Sequence, residues 1–159
     1  MSRLSVHYSK LTQEPFQKLL DLSYSLHTSS LGAGLLELVK LRVSQINGCA
    51  FCIDMHARAL LEGGEDLQRL LMLPAWRESD FFSPRERAAL DWAERTNAFE
   101  DEAALDVSFA ELSKHFEERE IAELTFAVAV INTWNIMNVS LKTPVAKKPM
   151  PEAKLKKAS

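Results

Sequence analysis

Two cysteines stand three residues apart, at Cys49 and Cys52, and His56 follows the second by four. If the chain is helical from Cys49 onward, all three share one stripe, because spacings of three, four and seven are close to whole turns. Two thiols and an imidazole on one face can do redox chemistry. The thiolate is the nucleophile, and a free thiol with a pKa of about 8.5 is mostly protonated at neutral pH. A helix N-terminus, a neighbouring thiol and an imidazole each favour the thiolate, and this spacing offers all three. Attack on a peroxide yields a sulfenic acid, which a second thiol three residues away can convert to a disulfide. That half-cycle calls for no metal and no organic cofactor. His56 would accept the thiol proton or hand a proton to the departing hydroxide. Glu37 lies twelve residues before Cys49, and Asn47-Gly48 between them is a turn signal. A helix carrying Glu37 would fold back there and bring the carboxylate towards the thiols.

Residue types alone leave the order of the cysteines open. With His56 one turn beyond it, Cys52 is favoured as the peroxide-reactive thiol and Cys49 as its partner. The opposite order follows if the first cysteine is the one exposed at the helix start, as in thioredoxin-like C-x-x-C pairs. Plainer readings exist for each residue. The cysteines could be two small buried hydrophobes. They could hold zinc with His56 and Glu37, although structural zinc sites usually have more Cys or His, commonly as two separated pairs. Glu37 could be half of a surface pair with Lys40 at i,i+3. His7, His27 and His115 have no chemical neighbours in sequence and are read as structural.

The residues Glu37, Leu41, Arg42, Ser44, Asn47, Cys49, Cys52 and His56 together resemble the core motif of the alkyl hydroperoxidase D group within the carboxymuconolactone decarboxylase-like family. The match spans about twenty contiguous residues. The resemblance implies an all-helical domain, and a proton relay in which Glu37 orients or charges His56, with or without an intervening water. It also implies an antioxidant peroxidase or disulfide reductase activity and an external dithiol donor, thioredoxin-like or lipoyl-type, together with assembly as a homo-trimer or homo-hexamer. The decarboxylase branch of the family typically lacks the cysteine pair, so Cys49 and Cys52 argue against lactone decarboxylation. A redox sensor without rapid turnover would use the same disulfide. Family members often show Trp-Asn-Arg near the last helix; here Trp134-Asn135 is followed by Ile136, so any role of that arginine is missing.

The elements that must position these residues read as helices throughout. Thr12 is a candidate N-cap with Pro15 just inside, and the helix fades by Thr28-Ser29-Ser30. A run from Gly32 and Gly34 to Ile46 is apolar on most sides, which marks a central helix. The thiol helix should end at Gly63-Gly64, and a short helix over Leu67–Leu73 should stop at Pro74. Ser83-Pro84-Arg85-Glu86 is a capping box with proline at the first helical position, and Ser108 to Glu111 repeats the pattern. The last and most apolar helix runs from about Glu118 to Leu141. Asn132, Asn135 and Asn138 recur on it by threes and need hydrogen-bond partners, which amides bridging neighbouring helices would supply. The expectation is one all-α domain of six to eight helices over residues 1–141, then a basic, disordered tail over 142–159.

At 159 residues the chain suits one domain. It has no apolar run long enough for a membrane span and no signal peptide pattern near its start. The expected compartment is the cytoplasm, where a lone cysteine pair points to chemistry rather than to a structural staple. Net charge is -3, but unevenly spread. From Lys142 onward stand six lysines and one glutamate, so the remainder is strongly acidic, which argues against nucleic acid as the main partner.

Overall fold

The structure is a computed structural model and describes residues 2–151. Eight α-helices account for its order: α1 (Tyr8–Leu11), α2 (Gln13–Ser25), α3 (Ala33–Ile46), α4 (Ala50–Glu62), α5 (Leu67–Met72), α6 (Pro84–Ala98), α7 (Glu102–Leu112) and α8 (Glu118–Ser140). Short 3₁₀ segments, Leu26–Thr28 and Leu73–Glu78, follow α2 and α5. No strand occurs among the described residues. The chain is all-helical, as its patterning requires.

Helix α3 is the centre of the bundle and packs against α4, α6 and α8. Its sequence explains this: Leu36, Leu38, Val39, Leu41 and Val43 are all buried, so no side of it could face water without cost. Two apolar clusters meet along it. One joins Leu36, Val39 and Val43 to both cysteines and to Leu124, Val128 and Ile131 of α8. The other joins Leu38 and Leu41 to Leu60 and Leu61 of α4, with Leu73, Trp76 and Leu90.

The turn between α3 and α4 uses no spare residue. Gly48 adopts φ +67°, a conformation that is costly for a side chain with a Cβ. The Cys49 N–H then donates to the Ser44 carbonyl at 3.0 Å and the Gly48 N–H to the Gln45 carbonyl at 3.3 Å. This is the paired bonding of a Schellman ending. The residue that closes α3 is therefore also the N-cap of α4, because Cys49 occupies both positions. Gly64, at φ +89°, ends α4 in the same way.

Helix α6 opens on the expected capping box, with Ser83 and Glu86 bonding each other's backbone. The second expected box is not a helix start. Helix α7 begins earlier, with Asp101 as N-cap accepting from the Ala104 N–H. Ser108 lies inside α7 and is buried; its helical position faces the core rather than a chain end. Helix α1 is too short to carry a periodic signal. Thr12 precedes α2 as expected, but its hydroxyl donates back to the Tyr8 carbonyl and does not cap α2. Pro74 does not halt the chain sharply, since it sits within the first turn of the second 3₁₀ segment. No described helix is long and apolar enough to cross a membrane. In the tail, residues 143–151 are without helix or strand, and Arg58 of α4 donates to the Lys148 and Pro149 carbonyls. The rest of the expected disordered tail lies outside the described residues.

Candidate active site

The four residues singled out by type and spacing come from α3 and α4, linked by the Gly48 turn. Cys49 and Cys52 are paired as a disulfide, with Cα atoms 5.4 Å apart, and both are buried. As N-cap, Cys49 receives the Cys52 N–H on its Sγ at 3.4 Å. The first amides of a helix carry partial positive charge, so this sulfur sits where a thiolate is favoured. Cys52 Sγ accepts from Asn138 Nδ2 of α8 at 3.5 Å.

His56 lies one turn beyond Cys52 and is buried. Its Nδ1 is 2.6 Å from Glu37 Oε2. A carboxylate only accepts, so Nδ1 carries the proton and donates. The other ring nitrogen, Nε2, is buried without a hydrogen-bond partner among the described residues. It is thus the nitrogen through which His56 can exchange protons with an incoming molecule.

Glu37 has a second partner, because Lys40 Nζ donates to its Oε1 at 3.0 Å. The i,i+3 pairing with Lys40 exists, but it is not a surface pair: the Lys40 side chain is 7% exposed and that of Glu37 17%. Burial alone would raise the Glu37 pKa. The hydrogen bond and charge of His56, with those of Lys40, outweigh burial and lower it to about 2. Glu37 is therefore a carboxylate at any ordinary pH, and its charge is fixed where it meets the imidazole.

The other polar residues of the motif do structural work. Arg42 Nε donates to Glu94 of α6 at 2.6 Å, and Trp76 Nε1 donates to the same carboxylate at 2.9 Å. Arg77 also binds Glu94. Ser44 Oγ accepts from Asn135 Nδ2 at 3.1 Å. Asn47 Nδ2 lies 2.8 Å from the amide oxygen of Asn132 and 3.0 Å from that of Asn135. Arg42, Ser44 and Asn47 thus tie the α3 end of the active turn to α6 and α8. Asn132 and Asn135 are inter-helix bridges; Asn138 is not only that, since it reaches a sulfur.

A cavity of about 570 Å³ opens beside this cluster. Glu37, Lys40, His56 and Asn138 contribute polar groups to its lining, and Phe16, Leu20, Phe51, Met55, Val130 and Trp134 contribute apolar wall. His7, Tyr8 and His27 line it as well. His7 also has a structural role, capping α1 with its Nδ1 accepting from the Ser9 N–H. Neither cysteine lines the cavity directly; Asn138 touches both the cavity and Cys52. No group of three or more His, Cys, Asp or Glu side chains converges at metal-binding spacing among the described residues.

Comparison with known proteins bears on this arrangement. Residues 12–95 match the carboxymuconolactone decarboxylase family. An uncharacterized protein of Bacillus subtilis, YdfG, is 35% identical over 143 residues, covering 90% of this chain and 97% of YdfG. A crystal structure from Agrobacterium tumefaciens, of a protein of unknown function provisionally named antioxidant defence protein AhpD, superimposes with a TM-score of 0.87. It is 34% identical, over 93% of this chain and 100% of that one. The debrominase Bmp8 shares the fold alone, at 19% identity and a TM-score of 0.68 over 83% of this chain and 69% of its own. The chain belongs to the carboxymuconolactone decarboxylase family, and within it is of the alkyl hydroperoxidase D-like kind.

Proposed function

We propose that this protein is a thiol-dependent oxidoreductase that reduces organic hydroperoxides through Cys49 and Cys52. The observation that carries the reading is the buried carboxylate–imidazole pair, Glu37 to His56 at 2.6 Å, one turn from a C-x-x-C disulfide. His56 Nε2 is buried without a hydrogen-bond partner among the described residues, a cost to stability of the kind that gathers where chemistry needs it.

In the proposed cycle His56 Nε2 takes the Cys52 thiol proton. The thiolate attacks one peroxide oxygen, so a sulfur–oxygen bond forms while the oxygen–oxygen bond breaks. The alkoxide leaves with the proton from His56 as an alcohol, and Cys52 is left as a sulfenic acid. Cys49 then attacks the Cys52 sulfur, forming the disulfide and releasing hydroxide, which leaves as water with the Cys49 proton. An external dithiol reduces the disulfide and is itself oxidised. Glu37 holds Nδ1 protonated and stabilises the imidazolium while it carries the extra proton.

The apolar cavity wall favours an organic hydroperoxide with an apolar body. Both sulfurs are buried, which favours a donor whose dithiol sits on a slender arm, of lipoyl type, over one with thiols set in a flat protein surface. A homo-trimer or homo-hexamer is part of the proposal. Along α8, Phe126, Ala129, Thr133 and Ile136 form an exposed stripe, with Phe126 56% and Ile136 64% exposed, and a stripe of that kind marks an interaction face.

The test is stopped-flow oxidation of the reduced protein by cumene hydroperoxide and by hydrogen peroxide, with thiols titrated before and after. Loss of two thiols per chain, faster with cumene hydroperoxide, is expected. Unchanged thiol content with every peroxide would defeat the reading. Cys49→Ser should stop after one equivalent, with a dimedone-trappable sulfenic acid on Cys52. Trapping on Cys49 in Cys52→Ser instead would reverse the two roles.

A further inference from the structure

We infer that Asn138 is a catalytic residue of this site, donating an N–H to the Cys52 thiolate, and that Tyr8 positions it. The inference rests on the thiol chemistry proposed above but adds a group from a distant helix to it. Asn138 stands on α8, 86 positions from Cys52, and is 5% exposed.

Both N–H donors of its amide and its carbonyl oxygen are engaged. Nδ2 donates to the Trp134 carbonyl at 2.9 Å and to Cys52 Sγ at 3.5 Å, and Oδ1 accepts from the Tyr8 hydroxyl at 3.2 Å. One orientation of the amide satisfies all three. A flipped amide would set its oxygen against the Trp134 carbonyl, and two acceptors would face each other. Two of the three contacts do not involve the sulfur, so the N–H stays aimed when the disulfide opens. A disulfide sulfur is a weak acceptor and a thiolate a strong one, so the contact strengthens on reduction, when Cys52 must ionise.

The supporting contact is unusual for its place. Tyr8 belongs to a four-residue helix at the start of the chain and is itself buried. Burial pushes its phenol pKa upward, so the hydroxyl remains a donor to Asn138 Oδ1 across the working range of a thiol. Because Tyr8 and Asn138 both line the cavity and Asn138 reaches Cys52 Sγ, the same pair connects the cavity to the sulfur.

The test reads the thiol itself and needs no substrate. In a Cys49→Ser background the only thiol is Cys52, and its thiolate absorbance near ~240 nm can be titrated against pH. Adding Asn138→Ala should move the midpoint up by about one pKa unit, the size expected for losing one hydrogen bond to a charged group. Asn138→Asp, which keeps the shape and replaces the donor by a carboxylate, should move it further. Tyr8→Phe should move it in the same direction by less. Asn132→Ala removes an amide of the same helix whose bond goes to Asn47, and should leave the midpoint in place. If Asn138→Ala fails to fold, the near-isosteric, uncharged Asn138→Leu decides instead, because a carboxylate at this place would shift the midpoint by its charge alone. An unchanged midpoint in folded Asn138→Ala or Asn138→Leu would overturn the assignment, and an unchanged midpoint in Tyr8→Phe would overturn the role of Tyr8. A midpoint that shifts in a protein that reduces no peroxide would leave this inference standing and remove the proposed activity instead.

Discussion

Replacing Glu37 by glutamine tests whether the relay carboxylate is as strongly held as its surroundings demand. Its pKa falls from an ordinary 4.5 to about 2 in the folded chain. A carboxylate with a depressed folded pKa contributes stability that is fully present above its unfolded pKa. That contribution is lost as pH falls through the folded value. A difference of this size corresponds to about 3 kcal/mol near pH 5.5, and only about 1 kcal/mol survives at pH 3. Glutamine does not titrate, so Glu37→Gln removes this term and leaves the other carboxylates in place. The stability gap between wild type and variant should therefore narrow by about 2 kcal/mol between pH 5.5 and pH 3. Urea unfolding at half-unit pH intervals measures it, read as the difference between the two proteins so that shared acid effects cancel. At pH 7 the gap should also include the cost of stranding the Lys40 ammonium, which is 7% exposed. A gap that stays constant over this window would show that His56 and Lys40 do not hold the carboxylate down, and the relay would lose its electrostatic basis.

Three further outcomes are expected. His56→Gln should slow thiol oxidation by about 100-fold at neutral pH, the lower range for loss of a general base. The deficit should shrink above the ordinary thiol range, where Cys52 ionises unaided, and a rate–pH profile overlaying wild type would contradict the relay. Glu94→Ala strands Arg42, whose side chain is 16% exposed, and should cost about 3 kcal/mol in denaturant unfolding; a Cys52 thiolate midpoint that moved with it would mean Glu94 acts on the chemistry as well as the scaffold. Light scattering at micromolar concentration should return three or six times the 17.9 kDa chain mass, and Phe126→Glu with Ile136→Lys should lower it; a monomer in wild type would refute the assembly.

Much of this molecule is local in origin, and local features are legible in sequence. The stripe of Cys49, Cys52 and His56 follows from helical periodicity alone. Asn47-Gly48 signals the reversal that brings α3 back along α4, and with it the meeting of Glu37 and His56. The apolar character of α3 on most of its sides makes it central, and the Ser83 capping box opens α6 where expected. Each of these rests on interactions within a few residues, which a linear pattern records.

What the sequence left open depends on residues far apart in the chain. Ser108-Phe109-Ala110-Glu111 has the residue types of a helix start, yet α7 begins at Asp101; both segments satisfy the local rule, and only packing of Ser108 into the core separates them. Lys40 reads as the partner of a surface glutamate because charged side chains are ordinarily solvated. Burial beside a cavity turns the same pair into the clamp that holds the Glu37 charge. Asn138 reads as one of three equivalent amides, but α8 rotates Asn132 and Asn135 towards Asn47 and Asn138 towards Cys52. Tyr8 and its short helix carry no periodic signal at all, and their place against Asn138 exists only in the folded chain. Periodicity determined which residues share a face. Tertiary packing decided which faces meet, because burial and hydrogen-bond pairing are set by neighbours that the linear order does not adjoin.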